Sequence, residues 1–242
     1  AEKGNLQIYT IIRRMMSKIS KKYAALVAMF IAIIWSAPSY AQNMWIRGHL
    51  PARNAVTEAT LERLTGFLTD SICAGRGTGT RGGVEAASWI AREFQAANLQ
   101  KVKGSWFKRF DAGKGIYGTN VVGILPGSSK TARNRYVVVG AHFDHLGTIN
   151  GTMYPGADSN ASGTAALLSL TRMFSAMRAA GKAYDSNIIF VAFDGNSHNL
   201  AGSEAFWKMI ERGELTDPVT GGRITKRMIS LMVNIDQVGC TL

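Results

Sequence analysis

Three short apolar runs organise the second half of the chain: 136–141, 188–193 and, nearly continuous, 229–235. Runs of this kind suit strands that are buried on both faces of a parallel sheet. Between the first two, Leu167, Leu170, Phe174 and Met177 recur at helical spacing. After the second, Leu200, Phe206, Met209 and Ile210 do so again, up to a stop near Gly213. Strand alternating with helix predicts a helix-covered, mainly parallel sheet. Upstream, Leu61, Leu64, Leu68 and Ile72 predict a helix, followed by a turn-rich break over 74–83. A second helix then carries Val84, Ala87, Ala91 and Phe94 on one face. Residues 105–110 and 120–125 read as a strand pair that ends at Pro126 and Gly127. The chain contains no internal repeat and no low-complexity linker.

The first 41 residues read differently. Arg13, Arg14, Lys18, Lys21 and Lys22 precede an apolar run over 23–35, and Ser39, Tyr40 and Ala41 form a small-x-small cleavage pattern. This is the three-part layout of a secretory signal. The run is shorter than the roughly 18 apolar residues of a membrane span, so the expectation is an exported protein with no stable membrane span once the leader is cut. Met15 or Met16 opens a better leader than Ala1, which suggests a fragment or an offset start. The expected layout is an extension plus signal peptide over 1–41 and one α/β domain over 42–242, C-terminally incomplete.

With 242 residues and 46% hydrophobic content the chain can bury a full core. The net charge of +12 shrinks without the leader, which holds six of the 28 basic and one of the 16 acidic residues and leaves +7. Lys101, Lys103, Lys108 and Arg109 form the densest basic cluster, interleaved with Trp106, Phe107 and Phe110. A nucleic-acid platform has a similar mixture, but alternating strand positions explain it, and export removes the usual partner. No nucleic-acid partner is expected. Cys73 and Cys240 could pair in an oxidising compartment or remain two buried thiols.

The three runs deliver polar residues to one place. His142, Phe143, Asp144 and His145 follow the first, Asn196 and Ser197 follow the second, and Asp236 ends the third. Ligands of open sheets bind beyond the carboxyl ends of the strands. A crevice for a peptide or small molecule is therefore expected there.

Six ordered blocks resemble metallopeptidase family 28, the di-zinc aminopeptidases whose relatives include glutaminyl cyclases and the transferrin-receptor ectodomain. They are 74–99, 118–123, His142-Phe-Asp144, 156–163, Phe193-Asp-Gly195 with 200–203, and 234–239. The resemblance implies a three-layer α/β sandwich with a mixed, mostly parallel central sheet, the phosphorylase-like fold of zinc exopeptidases. It implies two zinc ions, with His142 and Asp236 as ligands of one and Asp144 orienting the imidazole of His142. It also exposes departures. The bridging carboxylate position is Ser159, the general-base position is Asn196, and a ligand position of the other zinc is Ser197. A last histidine ligand of the family pattern falls beyond Leu242.

Two divalent ions about 3.5–4 Å apart repel by about 17–19 kcal/mol at an effective dielectric of about 20. Of the three carboxylate ligands that would offset this, Asp236 alone remains. Loss of a positioned base costs on the order of a hundredfold to ten-thousandfold in rate. The expectation is a non-hydrolytic homologue acting in binding or as a scaffold, with no zinc or at most one weakly held ion. An active peptidase using one zinc or substitute ligands, and less so a glutaminyl-cyclase-like activity, stand as alternatives.

Simpler roles are also open. Asp158 and Asn160 could cap the following helix, His142 with Asp144 could be structural, and His145 and His198 read as polar loop residues. Trp207 and the late methionines read as core. Residues 195–199 also superficially resemble a nucleophile elbow, with Ser197 as nucleophile and His142 and Asp144 as base and orienter.

Overall fold

The computed structural model describes residues 50–129 and 134–239; the expected leader and Cys240 lie outside them. Helix α1 (Glu58–Thr69) starts at a capping box in which Thr57 and Thr60 each accept the other's backbone N–H, at 3.2 and 3.3 Å. Leu64 and Leu68 are buried. Leu61 within α1 is exposed, contrary to the helical reading, and Ile72 is exposed because α1 ends at Thr69 and Ile72 belongs to the 3-10 turn Ser71–Arg76. Helix α2 (Arg81–Ala96) is capped by Thr80 and buries Ala86, Ala87, Ile90, Ala91 and Phe94, while Val84 in its first turn is exposed. That first turn lies directly on the preceding one. A Cβ at Gly82 would stand 2.0 Å from the Cys73 carbonyl oxygen, so only glycine permits this approach.

Strands β1 (Gln100–Lys101), β2 (Phe107–Gly113) and β3 (Ile116–Leu125) come next, with β2 and β3 forming the expected pair. Then follow β4 (Tyr136–His142), the small hairpin β5 (Gly147–Ile149) and β6 (Thr152–Tyr154), helix α3 (Gly163–Ala179), β7 (Asn187–Phe193), helix α4 (Ala201–Glu211) and β8 (Ile229–Ile235). The central sheet runs β1-β3-β7-β4-β8, with β2 also on β3. It is mixed: β7, β4 and β8 are parallel, and β3 runs antiparallel to β7.

Two apolar layers enclose this sheet. On one face Leu64, Leu68, Ile90, Phe94, Leu167 and Leu168 pack on Val139, Ala141, Phe190 and Ala192. On the other, Phe206 and Ile210 of α4 pack on Val138, Ile189, Val191 and Phe193. Each such side chain contributes about 1.5–3 kcal/mol on burial, and together they make an α/β/α sandwich. The edge strand β8 departs from the expected two-sided burial. Ile235 packs on the helical cluster, but Leu231 is 54% and Val233 40% exposed, because no described strand pairs the outer edge of β8. Leu200 is exposed as well, since it precedes α4 in a left-handed conformation.

Candidate functional site

The parallel register sets the geometry of the crevice. His142 closes β4 opposite Phe193, and Gly140 lies opposite Asn234. Because strand side chains alternate with period two, Asp236 stands level with His142 on the same face. His142 Nε2 is 3.3 Å from Asp236 Oδ1. Its Nδ1 lies 3.1 Å from the Asp144 carbonyl oxygen and 3.6 Å from the Asp144 carboxylate. A carbonyl oxygen only accepts, so Nδ1 carries the proton and Nε2 faces Asp236. Burial pulls the imidazole pKa down, but Asp144 and then Asp236 outweigh it and hold the ring above its ordinary value.

Asp144 is buried and heavily engaged. Its carboxylate accepts from the backbone N–H of Asn196 at 3.0 Å and of Ser197 at 3.1 Å, and from the Ser197 hydroxyl at 2.9 Å. Burial pushes this carboxyl up, while His142 and the loop donors outweigh it and hold the group below the usual range. Asp144 thus ties the end of β4 to the loop after β7. The hydroxyl of Ser197 also lies 3.2 Å from His198 Nδ1, so His198 contacts a site residue rather than sitting free in the loop.

A second buried carboxylate, Asp194, was not singled out from the sequence as a site residue. It accepts from the Thr78 hydroxyl, Thr119 N–H and Gly195 N–H, each at 2.8 Å, and burial lifts its pKa to about 6. Thr78 stands 3.4 Å from Asp144 as well, which links the two carboxylates. Asp194 N–H donates to Asn120 Oδ1 at 3.0 Å, and Asn120 Nδ2 donates to the Gly202 carbonyl at 2.7 Å. The signal in the sequence is the position of Asp194, first past a buried parallel strand. Thr78 and Asn120 give no local signal, since their partners are distant in sequence.

The loop that carries Ser159 is held from below by Arg76. This side chain is fully buried, and its guanidinium donates to the carbonyls of Phe143 and Pro155 at 2.7 Å, of Gly156 at 2.9 Å, and of Leu68. Burial lowers its pKa to about 10. Gly156 has φ +54, and a Cβ there would stand 2.4 Å from the His145 ring, so the loop needs glycine at this point. Ser159 follows, half-buried, with its hydroxyl unbonded to any described residue. Asn160 Oδ1 accepts from Gly163 N–H at the start of α3 and from Gln237 N–H, both at 3.0 Å. Asp158 makes no such helix cap. Its Oδ1 accepts from Gly239 N–H at 2.9 Å, because the chain leaving β8 passes closer to it than the amides of α3.

A cleft of about 190 Å³ opens beside His142, walled by Asp194, Asn196, Leu200, Ser203, Trp207 and Asn234. Trp207 therefore forms cleft wall as well as core, packing edge-on to Phe206. The nucleophile-elbow arrangement is not assembled. Ser197 bonds Asp144 directly and lies beside His198, and both ring nitrogens of His142 are turned to aspartates, so His142 does not face the Ser197 hydroxyl.

Among the described residues the donors for two zinc ions are not brought together. His142 Nε2 and Asp236 Oδ1 are spaced like two ligands of one tetrahedral zinc, whose arms of about 2.0–2.1 Å place neighbouring donors about 3.3 Å apart. Structural zinc takes four ligands and catalytic zinc three from the protein. Among the described residues no group of three His, Cys, Asp or Glu side chains could hold a metal ion. Nor is any described helix long and apolar enough to cross a membrane.

Comparison with known proteins follows the same outline. Residues 120–241, just over half of the chain, match the family model described as peptidase family M28. The chain is 30% identical over 164 residues to a probable leucine aminopeptidase of Arthroderma otae, covering 66% of this chain and 39% of that protein. It is 27% identical over 196 residues to a probable zinc metalloprotease of Pyrenophora tritici-repentis, covering 75% of this chain and 41% of that protein. The chain thus spans about two fifths of the length of these curated relatives. The crystal structure of an Acidobacteriales bacterium glutaminyl cyclase superposes with a TM-score of 0.56 at 19% identity, covering 75% of this chain and 58% of that one. The sheet order, the crevice at the strand ends and a family match that spans His142 to Asp236 agree, and the chain belongs to peptidase family M28.

Proposed function

We propose that this chain is an exported M28 homologue that binds a peptide or small molecule in the cleft beside His142 without two-zinc hydrolysis. The observation that carries the reading is the use of Asn196 and Ser197. Their amides and the Ser197 hydroxyl are spent on Asp144, and neither side chain can supply an anionic oxygen. Asn196 cannot take a proton from water, so no general base stands at the position the family pattern assigns to it. What remains is a concave site with amide, hydroxyl and indole groups, suited to hydrogen-bonding a ligand.

One observation favours a second reading. The 3.3 Å between His142 Nε2 and Asp236 Oδ1 leaves room for a single zinc shared by those two donors and groups outside the described residues, and such a protein would be a one-zinc peptidase. Titration of chelator-treated protein with leucyl peptides, followed by Trp207-sensitive fluorescence, separates the two. Binding unchanged by chelator and without cleavage supports the binding role. Chelator-sensitive release of the N-terminal residue overturns it.

A further inference from the structure

A second cavity lies elsewhere, a groove of about 300 Å³ between β2 and α4. That volume is at the lower end of small-molecule sites. Phe110, Phe206 and Met209 line it with apolar surface, and charges of both signs border it. Arg212 and Glu214, two residues apart after α4, have no ion-pair or hydrogen-bond partner for their side chains among the described residues. Lys108 enters on the same face of the sheet as Phe110, two positions along β2. Its ammonium donates to the Val102 carbonyl at 2.8 Å but meets no carboxylate, and burial together with Lys103 lowers its pKa. The neighbouring Lys208 and Glu204 neutralise each other at 2.6 Å, Arg109 lies over the Tyr117 ring, Asp111 accepts the Gly113 N–H and Glu211 lies within electrostatic reach of Arg212. The rim thus carries charges of both signs, with Lys108, Arg212 and Glu214 lacking a close ion-pair partner among the described residues.

We propose that this groove is a second binding site, for a zwitterionic amino acid or dipeptide with an apolar side chain. The ligand carboxylate meets Lys108 and Arg212, its ammonium meets Glu214, and its side chain lies on Phe110 and Met209. A simple anion leaves Glu214 opposing it, and an apolar ligand leaves all three charges unmatched, so a ligand carrying both charges is the chemistry that complements the rim. The groove shares a wall with the crevice. Asn120 lines the groove and accepts the Asp194 N–H, and the Phe110 ring lies against Gly195, where an added Cβ would stand 3.1 Å away. Occupancy is thereby placed against the start of the loop that carries Asn196 and Ser197.

The test is a titration with leucyl-glycine, followed by nuclear magnetic resonance of the whole protein. Saturable shifts at Met209 and Phe110 are expected, with affinity falling about three- to tenfold in Arg212→Ala and again in Glu214→Gln, both exposed positions that leave the core intact. N-acetyl-leucyl-glycinamide, which lacks both charges, is expected not to bind there, and a His142→Ala protein, altered in the crevice, is expected to bind leucyl-glycine at the groove unchanged. The proposal is overturned if no saturable shift occurs at the groove, if neither substitution weakens binding, if the blocked dipeptide binds equally well, or if the shifts centre on Trp207 and disappear in His142→Ala. The last result would leave binding in the cleft standing while removing the second site.

Discussion

Ser197 Oγ donates to Asp144 Oδ2 at 2.9 Å, which turns the side chain inward, onto the carboxylate beside His142, at a position that the resemblance assigns to a zinc ligand. Ser197 thereby braces the crevice. Ser197→Ala removes one hydrogen bond to a charged group and is expected to cost about 1.5–3 kcal/mol. Asp144→Ala leaves the two loop amides without their acceptor and is expected to cost more, about 3–5 kcal/mol. Urea unfolding midpoints of the two variants check the order, and equal midpoints would contradict it.

A second brace joins the helices. Glu93 accepts from Arg63 at 2.9 and 3.1 Å and from Arg172 at 2.5 Å, tying α1 and α3 to α2. Glu93→Gln replaces a shared carboxylate by an amide that can accept on one side only. Destabilisation of about 1–3 kcal/mol is expected, measurable by thermal unfolding; an unchanged melting temperature would show the pair to be neutral.

Stability should pass through a maximum in mildly acidic solution. Burial raises the pKa of Asp194 to about 6, above its unfolded value, so its charge weighs against the fold at neutral pH and is relieved as the pH falls through about 6 towards about 4. His142, raised by Asp144 and Asp236 against the pull of burial, acts in the same sense, since its contribution is lost as the pH rises through its folded pKa. Glu93 and Asp217 act oppositely. Burial works against both, but the arginines in one case and Tyr136 with backbone amides in the other hold them below their ordinary values, so their contribution is lost on further acidification. Thermal midpoints from pH 7.5 to 3 are expected to rise and then fall, and a monotonic decline from neutral pH would contradict this assignment.

Tyr136 donates to Asp217 at 2.6 Å in a buried setting at the far end of β4. Tyr136→Phe deprives a carboxylate of one donor and is expected to cost about 1–3 kcal/mol at neutral pH. The cost should shrink below the pH at which Asp217 protonates, as denaturation at pH 3 and pH 7 would reveal.

The sequence made the path of the sheet legible because 136–141 and 188–193 are continuous apolar runs, and the register that follows brings His142 level with Asp236. Burial on individual faces was less legible. Ile72 keeps helical spacing yet points outward, since the turn Ser71–Arg76 rather than a longer helix connects α1 to α2, and Val84 is exposed in the first turn of α2. Leu231 and Val233 read as core because a pattern of apolar residues does not tell a central strand from an edge. The buried polar layer was not legible either. Thr78, Asn120 and Asp194 meet across separations of 74 or more residues, and Arg76 finds carbonyls rather than a carboxylate, so no local motif marks them.

The metal question is decided most directly by restoring charge and by counting ions. Ser159→Asp combined with Asn196→Glu and Ser197→Glu places three carboxylates in the crevice, at the positions where the resemblance calls for them. It is expected to tighten zinc binding at least about tenfold, equivalent to about 1.4 kcal/mol, in a competitive dye titration; unchanged affinity would show that charge is not what the site lacks.

For the unaltered protein, elemental analysis of the purified chain, run beside an aminopeptidase assay with and without added zinc, bears on the central claim. Less than one zinc per chain and no chelator-sensitive turnover is the predicted result. Two tightly bound zinc ions per chain with chelator-sensitive release of N-terminal residues would contradict it.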